Sequence, residues 1–532
     1  MAATVAWALA LCLASPAWSK HHGEDLADFV REYRQGGAAA MKAATSPSVD
    51  REALIAAAEA HRERIRSHYG FEASLAGLLD ETIFATDKAG KNSLERALLR
   101  GIARREVRIS QMGISITAGH DIFHNESFSH VFGRHFGAVL RTAGVGLRLR
   151  NHAVGGFGTM PSHVCATAMV GDDNDVVAWD YMMMADRGSC AVEHLVRQLA
   201  LAAPSIAEAP ATLWWQGGVW LPTEAPKDYK PPKRPGANAK QSCGGGWVAK
   251  AYSGLGSHVG DFGATLQKLR HHGMAMLQKG TDPLYMDPRK GLPPAADMSE
   301  PPLPPGPQTT QARRRLAKHH PGQALHRLWG LVWAHAYLGV LVDALRDGEA
   351  AAHGTPSALP KRMGCVPHLC EDVAPICLTS MTPRAPAYAL EDRLSTTSTA
   401  SWTLRGEAKR DGVSAHFGYV DSKILLSGTK TDGEVVLKVD VKHGGRPLVA
   451  CEAPCPWGRC PAGRLPLKPS TAWTIDGDAV APPDKAPKEH AIFDVKDTCF
   501  VVKDALAAGE HAVGITVVKP DGYAGLTHLI HY

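Results

Sequence analysis

The sequence predicts an α/β protein, a parallel sheet flanked by helices, followed by an antiparallel β-sandwich. Three observations predict it. Between residues 107 and 220, strand-like and helix-like segments alternate at the spacing of βαβ units. From about residue 378 the apolar period becomes two, the signature of half-buried strands. A proline-rich stretch at 282–308, containing PPAADMSEPPLPPGPQ, can pack as neither helix nor sheet and reads as an insertion. With 532 residues the chain exceeds one ordinary core of about 100–200 residues, so two or three domains are expected.

In chain order, MAATVAWALALCLASPAWSK carries an apolar core from Val5 to Ala14. That core is shorter than the roughly 20 residues a spanning helix needs. Ala17-Trp18-Ser19 places small residues at positions −3 and −1 of a cut before Lys20, so residues 1–19 read as a signal peptide, although no Lys or Arg precedes the apolar core. Residues 20–106 read as a helical extension, with DREALIAAAEAHRERIRSHY and NSLERALLRGIARRE at helical period. VRIS then predicts a strand, SFSHVFGRHFGAVLRTAG an amphipathic helix ended by Gly144, and VGLRLRNHA a second strand. NDVVAWDYMMM predicts a buried strand, AVEHLVRQLALAA a helix and ATLWW a further strand. ALHRLWGLVWAHAYLGVLVDALR predicts an apolar helix that covers one face of the sheet. In the C-terminal domain, 378–532, GEVVLKVDVKHGG and EHAVGITVV alternate as sandwich strands do.

Composition narrows the functional classes. The net charge is +5 and dispersed, and Arg313-Arg314-Arg315 lacks an accompanying aromatic or basic stripe, so no nucleic-acid partner is expected. No later segment stays apolar long enough to span a membrane, and GLTHLIHY is not a lipid-anchor tail. Of eleven cysteines, Cys12 leaves with the leader; the remaining ten suit an oxidising, secretory compartment and up to five disulfides. Cys451, Cys455 and Cys460 lack the CxxC pair or His repeat that a zinc site favours, and no metal or cofactor is expected. Asn125-Glu126-Ser127 is a glycosylation sequon.

Three segments could do chemistry together. GISITAGHD, 113–121, puts Ser115 on a glycine-flanked turn at the end of the first strand, where a parallel sheet exposes ligand-binding residues. RNHAVGGFGTMP, 150–161, offers backbone N–H groups at Gly155-Gly156 for an oxyanion. AKHHPGQALH, 317–326, places His319 and His320 before the apolar helix, where a loop can return an imidazole to the serine as base. His120 reads as structural or as a substrate contact, and Asp180, at the far end of the buried strand, as a pocket residue. Met182, Met183 and Met184 read as core or pocket wall, Trp214 and Trp215 as packed, and Trp457 as a glycan-contacting aromatic on a disulfide-bounded loop.

GISITAGHD…SF, RNHAVGGFG, CATAMVGDDNDVVAWDYMMMAD and HHPG, in that order over about 107–347, resemble the SGNH (GDSL-type) hydrolase family. The chain is most similar to large algal members of it with a β-rich C-terminal region. The resemblance implies a three-layer α/β/α fold for 107–347 and a secreted serine esterase acting on acylated glycans. It implies Ser115 as nucleophile and oxyanion donor, Gly156 as second donor and His320 as base, with His319 the neighbouring alternative. Two family features are absent: Ile114 stands where an Asp usually precedes the serine, and Ala317 where an acid usually orients the histidine. Asn174 in GDDND precedes the buried strand rather than following it, so it does not match the family's third-block asparagine donor. These absences favour the alternative, a catalytically degenerate scaffold that binds glycan or serves at the cell surface.

Overall fold

The structure is a computed structural model and describes residues 49–68, 88–119, 127–155, 159–180, 190–215, 252, 254–259, 323–347, 358–360, 375–381, 389–395, 400–407, 423–453, 462–485 and 498–532. The signal-peptide segment, the sequon asparagine and the proline-rich insertion lie outside them. Helices α1 (Arg51–His68) and α2 (Lys88–Ala103) precede strand β1 (Glu106–Gly113). Then come α3 (Phe128–Thr142), β2 (Gly146–Asn151), α4 (Ala166–Val170), β3 (Val176–Asp180), α5 (Cys190–Ala202), β4 (Ala211–Trp215), β5 (Gly256–Val259) and α6 (Gln323–Arg346). The five strands form one parallel sheet in the order β2-β1-β3-β4-β5.

Local chemistry explains these elements. Every residue of β3 is buried, as a strand covered on both faces requires, and VVAWD is correspondingly almost all apolar. Helix α3 starts at Ser127, whose hydroxyl accepts the His130 N–H, and its buried stripe of Phe128, Val131, Phe132, Phe136, Val139 and Leu140 follows helical spacing. The chain turns out of α3 at Gly144, whose N–H reaches the Arg141 carbonyl. Helix α6 is buried nearly all round from Trp329 to Leu345 because α1, α2 and α3 all pack against it. Its Tyr337 meets Phe132 edge-on, with ring centroids 4.8 Å apart.

The two faces of the sheet bury separate cores. Val107, Ile109, Val176, Ala178, Ala211 and Leu213 face α1, α2, α3 and α6. Met112, Val177 and Trp179 face α4 and α5. Helices therefore lie on both sides, in three layers. The helices of the segment read as an extension belong to the first core, where Leu54, Ile55, Leu94 and Leu98 join Ile109.

The C-terminal strands are β6 (Ile376–Thr379), β7 (Thr403–Glu407), β8 (Lys423–Thr429), β9 (Val435–Val441), β10 (Arg446–Cys451), β11 (Thr471–Ile475), β12 (Asp478–Val480), β13 (Cys499–Leu506), β14 (Gly509–Val517), β15 (Tyr523–Leu526) and β16 (His528–His531). They pair antiparallel in three sheets, β13-β10-β16-β6, β12-β11-β14-β9 and β15-β8-β7. The first two sheets face one another across Leu448, Phe500 and Leu529 on one side and Leu437, Trp473 and Ile515 on the other. The opposite face of the first sheet, through Cys377, Val449, Val501 and Ile530, joins the core under α4 and α5. One sheet thus serves both the sandwich and the α/β unit. A disulfide, Cys165–Cys377, ties the residue before α4 to β6, and Cys451–Cys499 joins the paired β10 and β13. No helix among the described residues is long and apolar enough to cross a membrane.

Candidate active site

In this strand order the chain runs from β1 outward to β2 and then returns past β1 to β3. An open parallel sheet leaves a crevice at such a reversal, outside the carboxyl ends of the strands. Gly113 ends β1 and lies opposite Asp180, the last residue of β3. The segment carrying Ser115 begins there.

Residues 114–119 wind into a short helical turn, with Ala118 N–H bonded to Ile114 O at 2.9 Å and Gly119 N–H to Ile116 O at 3.0 Å. The turn closes at Gly119, whose φ of +78° suits glycine. Thr117 folds back over Gly113 so closely that a Cβ on Gly113 would lie 2.4 Å from Thr117 Oγ1. Only glycine permits this approach. Ser115 is half-buried on the turn, and Ile114 is buried in the α4–α5 core.

Two neighbouring strand ends grip the turn. Thr117 Oγ1 donates to Asp180 Oδ2 at 2.7 Å. Asn151, at the end of β2, donates from Nδ2 to the Thr117 carbonyl at 2.6 Å and accepts the Ala153 N–H on Oδ1 at 3.0 Å. The segment after β2 continues along β1, with His152 N–H on Gln111 O at 2.7 Å and Val154 N–H on Gly113 O at 3.0 Å. This brings the backbone up to Gly155 beside the serine turn. Val154 packs with Met381, Leu425, Ala453 and Tyr523 of the C-terminal domain, and Arg405 stacks over Tyr523 at 3.7 Å. The C-terminal domain, through its β15-β8-β7 sheet, therefore flanks the segment that leads to Gly155.

His152 is buried within 3.4 Å of Ser110 Oγ, and burial, only partly opposed by Asp173, lowers its pKa to about 4. It is neutral at physiological pH. Asn174 lies at the other end of β3, as its place in the sequence requires. Its Oδ1 accepts from Ser110 at 2.7 Å and its Nδ2 donates to Val170 O at 2.8 Å, which locks the turn entering the strand. Among the described residues no cluster of three His, Cys, Asp or Glu side chains is arranged to hold a metal ion.

Of the residues singled out from the sequence, Ser115 and Asp180 come to the same end of the sheet, joined through Thr117. His120, Gly156, Met182, Met183, Met184, Ala317, His319, His320 and Trp457 lie outside the described residues, as do the side chains of Trp214 and Trp215. Sequence reasoning missed two participants, Thr117 and Asn151. Each stands where polarity is out of place, Thr117 inside a buried turn and Asn151 at the end of an alternating strand, and that mismatch was the available signal.

No family model matches the chain, and no curated protein sequence does. What the fold and site define is a class: an α/β protein with a hydroxyl-bearing turn at the reversal of a parallel sheet and a β-sandwich fused to it. Among solved structures the chain is similar to a two-domain esterase (CEX) active on acetylated mannans, with 15% identity over 82% of this chain and 95% of that one and a TM-score of 0.42. A second such structure, co-crystallized with mannopentaose, matches with 14% identity over 82% and 94% and a TM-score of 0.39. Both superpositions are loose, and the fold described above rests on strand order and register alone.

Proposed function

We propose that the chain is a secreted serine esterase that removes acyl groups from glycans. The observation that carries this is the placement of Ser115, half-buried on a braced turn at the carboxyl end of β1, at the sheet's reversal point. Ser115 Oγ attacks the ester carbonyl while His320 takes its proton. The N–H groups of Ser115 and Gly156 hold the tetrahedral oxyanion. His320 then returns the proton to the departing sugar hydroxyl, and water hydrolyses the acyl-enzyme by the same route. Asp180 and His120 serve as substrate contacts in this reading, Asp180 also holding the turn through Thr117. These steps call on no cofactor.

The acylated-glycan substrate follows from the family resemblance and the fused sandwich, by analogy. The disulfides Cys165–Cys377 and Cys451–Cys499 support a secretory location. Turnover of p-nitrophenyl acetate and release of acetate from acetylated polysaccharide test the proposal. Ser115→Ala is expected to lower kcat about a thousandfold or more, and full turnover by that variant would overturn it. Ala317, in the place of the orienting acid, favours a second reading as a glycan-binding scaffold without catalysis. Glycan binding by a wild-type protein that hydrolyses no ester would select that one.

A further inference from the structure

We propose that Thr117 and Asn151 are positioning residues that lock the serine turn and the glycine loop into one unit; this rests on the esterase function proposed above. Thr117 is 1% exposed, and both its side-chain hydroxyl and its backbone carbonyl are committed. Its hydroxyl donates to Asp180 on β3 and its carbonyl accepts from Asn151 on β2. Thr117 therefore stitches together the carboxyl ends of all three strands around the reversal point. Asn151 carries the connection onward. The amide that donates to Thr117 also accepts the Ala153 N–H, which sets the chain just before Gly155 and Gly156.

The proposed nucleophile and the proposed second oxyanion donor lie 41 residues apart in the sequence, one after β1 and one after β2. Two loops that moved independently would hold an attack geometry poorly. The brace removes that freedom through short, neutral-donor hydrogen bonds in a buried place, where they are strongest. Misplacing a nucleophile by about 1 Å can cost on the order of a hundredfold in rate without touching the reacting atoms. Asp180 is in the same position: its contact with the turn is through Thr117, whatever else it meets in the crevice.

Thr117→Val keeps the shape and removes the hydroxyl; Thr117→Ser restores the hydroxyl. Asn151→Asp keeps the acceptor for Ala153 and replaces the donor facing the Thr117 carbonyl with an oxygen. Kinetics on p-nitrophenyl acetate would be measured well below each variant's thermal midpoint, with Ser115→Ala alongside. Thr117→Val and Asn151→Asp are expected to lower kcat about tenfold to a hundredfold with KM within about twofold, and Thr117→Ser to recover most of kcat. If Thr117→Val does not fold, Asn151→Asp carries the same test. Folded variants with wild-type kcat, beside an inactive Ser115→Ala, would overturn the brace and leave the esterase function standing. Turnover retained by Ser115→Ala would overturn both.

Discussion

The two ends of the parallel sheet are held by different chemistry. At the amino end the clamps are ionic. Arg104 pairs with the buried Asp175 at 2.6 Å, and Asp175 also accepts the Arg108 N–H at 2.8 Å. Beside it Arg108 pairs with Glu106 at 2.5 Å, and Arg148 with Asp173 at 2.5 Å, while Arg150 lies 3.7 Å from Asp173. At the carboxyl end the described clamps use an amide, a hydroxyl and backbone N–H groups, with Asp180 as the one carboxylate among them. Permanent charges beside a proposed nucleophile would shift its base and compete for the substrate's polar groups; Asp180 apart, the described clamps at this end are uncharged and fix geometry without doing so. The ionic clamps and the proposed chemistry thereby lie at opposite ends of the same strands. Changes at one end should alter folding alone, and changes at the other should alter turnover.

The largest effect expected belongs to the scaffold as a whole. Burial lowers the pKa of His152 to about 4, of His335 to about 3 (helped by Arg62 and Arg66), of His528 to about 3 and of His531 to about 4. The folded protein keeps these rings neutral, whereas the unfolded chain takes up protons below pH 6.5. Stability is therefore full above about pH 6.5 and falls as pH drops toward 4, by about 3 kcal/mol for His152 alone. Urea midpoints should be flat above neutrality and decline steeply through that window; a level profile down to pH 4.5 would contradict it. His511, raised by its bond to Asp476, acts in the opposite sense near the surface, stabilising below pH 6.5 and losing that contribution as pH rises.

Next comes the amino end. Asp175→Ala strands the Arg108 N–H and removes the Arg104 partner, at a cost of about 3 kcal/mol. Chemical denaturation should register that loss while kcat per folded molecule stays unchanged. A large fall in kcat would show that the ends are coupled. Gly113→Ala tests the other end. Its new Cβ would press on Thr117, costing about 1–3 kcal/mol in strain, and turnover should fall further than stability does. Equal or smaller loss of turnover would break the contrast between the ends. The smallest effect is expected from Arg148→Gln, a partly exposed pair member worth about 1 kcal/mol or less, visible only as a slight shift in the thermal midpoint.

Much of the architecture was legible in the residues. The nearly all-apolar run of β3, the amphipathic stripe of α3 and the strict alternation of β9 each announce their burial through local pattern. The candidate nucleophile was legible for the same reason, since glycines mark a sharp turn after a strand. Strand β10 was not. RPLVAC carries no period of two because its sheet is covered on one face by the sandwich and on the other by the α/β unit. A residue pattern reports whether a face is buried, but not by which neighbour.

By itself, then, the sequence determined most of the helices and strands of the α/β unit (though not β5), the place of Ser115 on a turn after the first strand, and the period-two character of much of the C-terminal domain. Tertiary structure alone decided the β2-β1-β3-β4-β5 order, the sheet shared between the two units, and the meeting of Thr117 with Asn151 and Asp180. The reason is one of range. Helical and strand periods are set by sterics between near neighbours, whereas a hydrogen bond across 34 or 63 residues exists only once the strands carrying its two ends have paired.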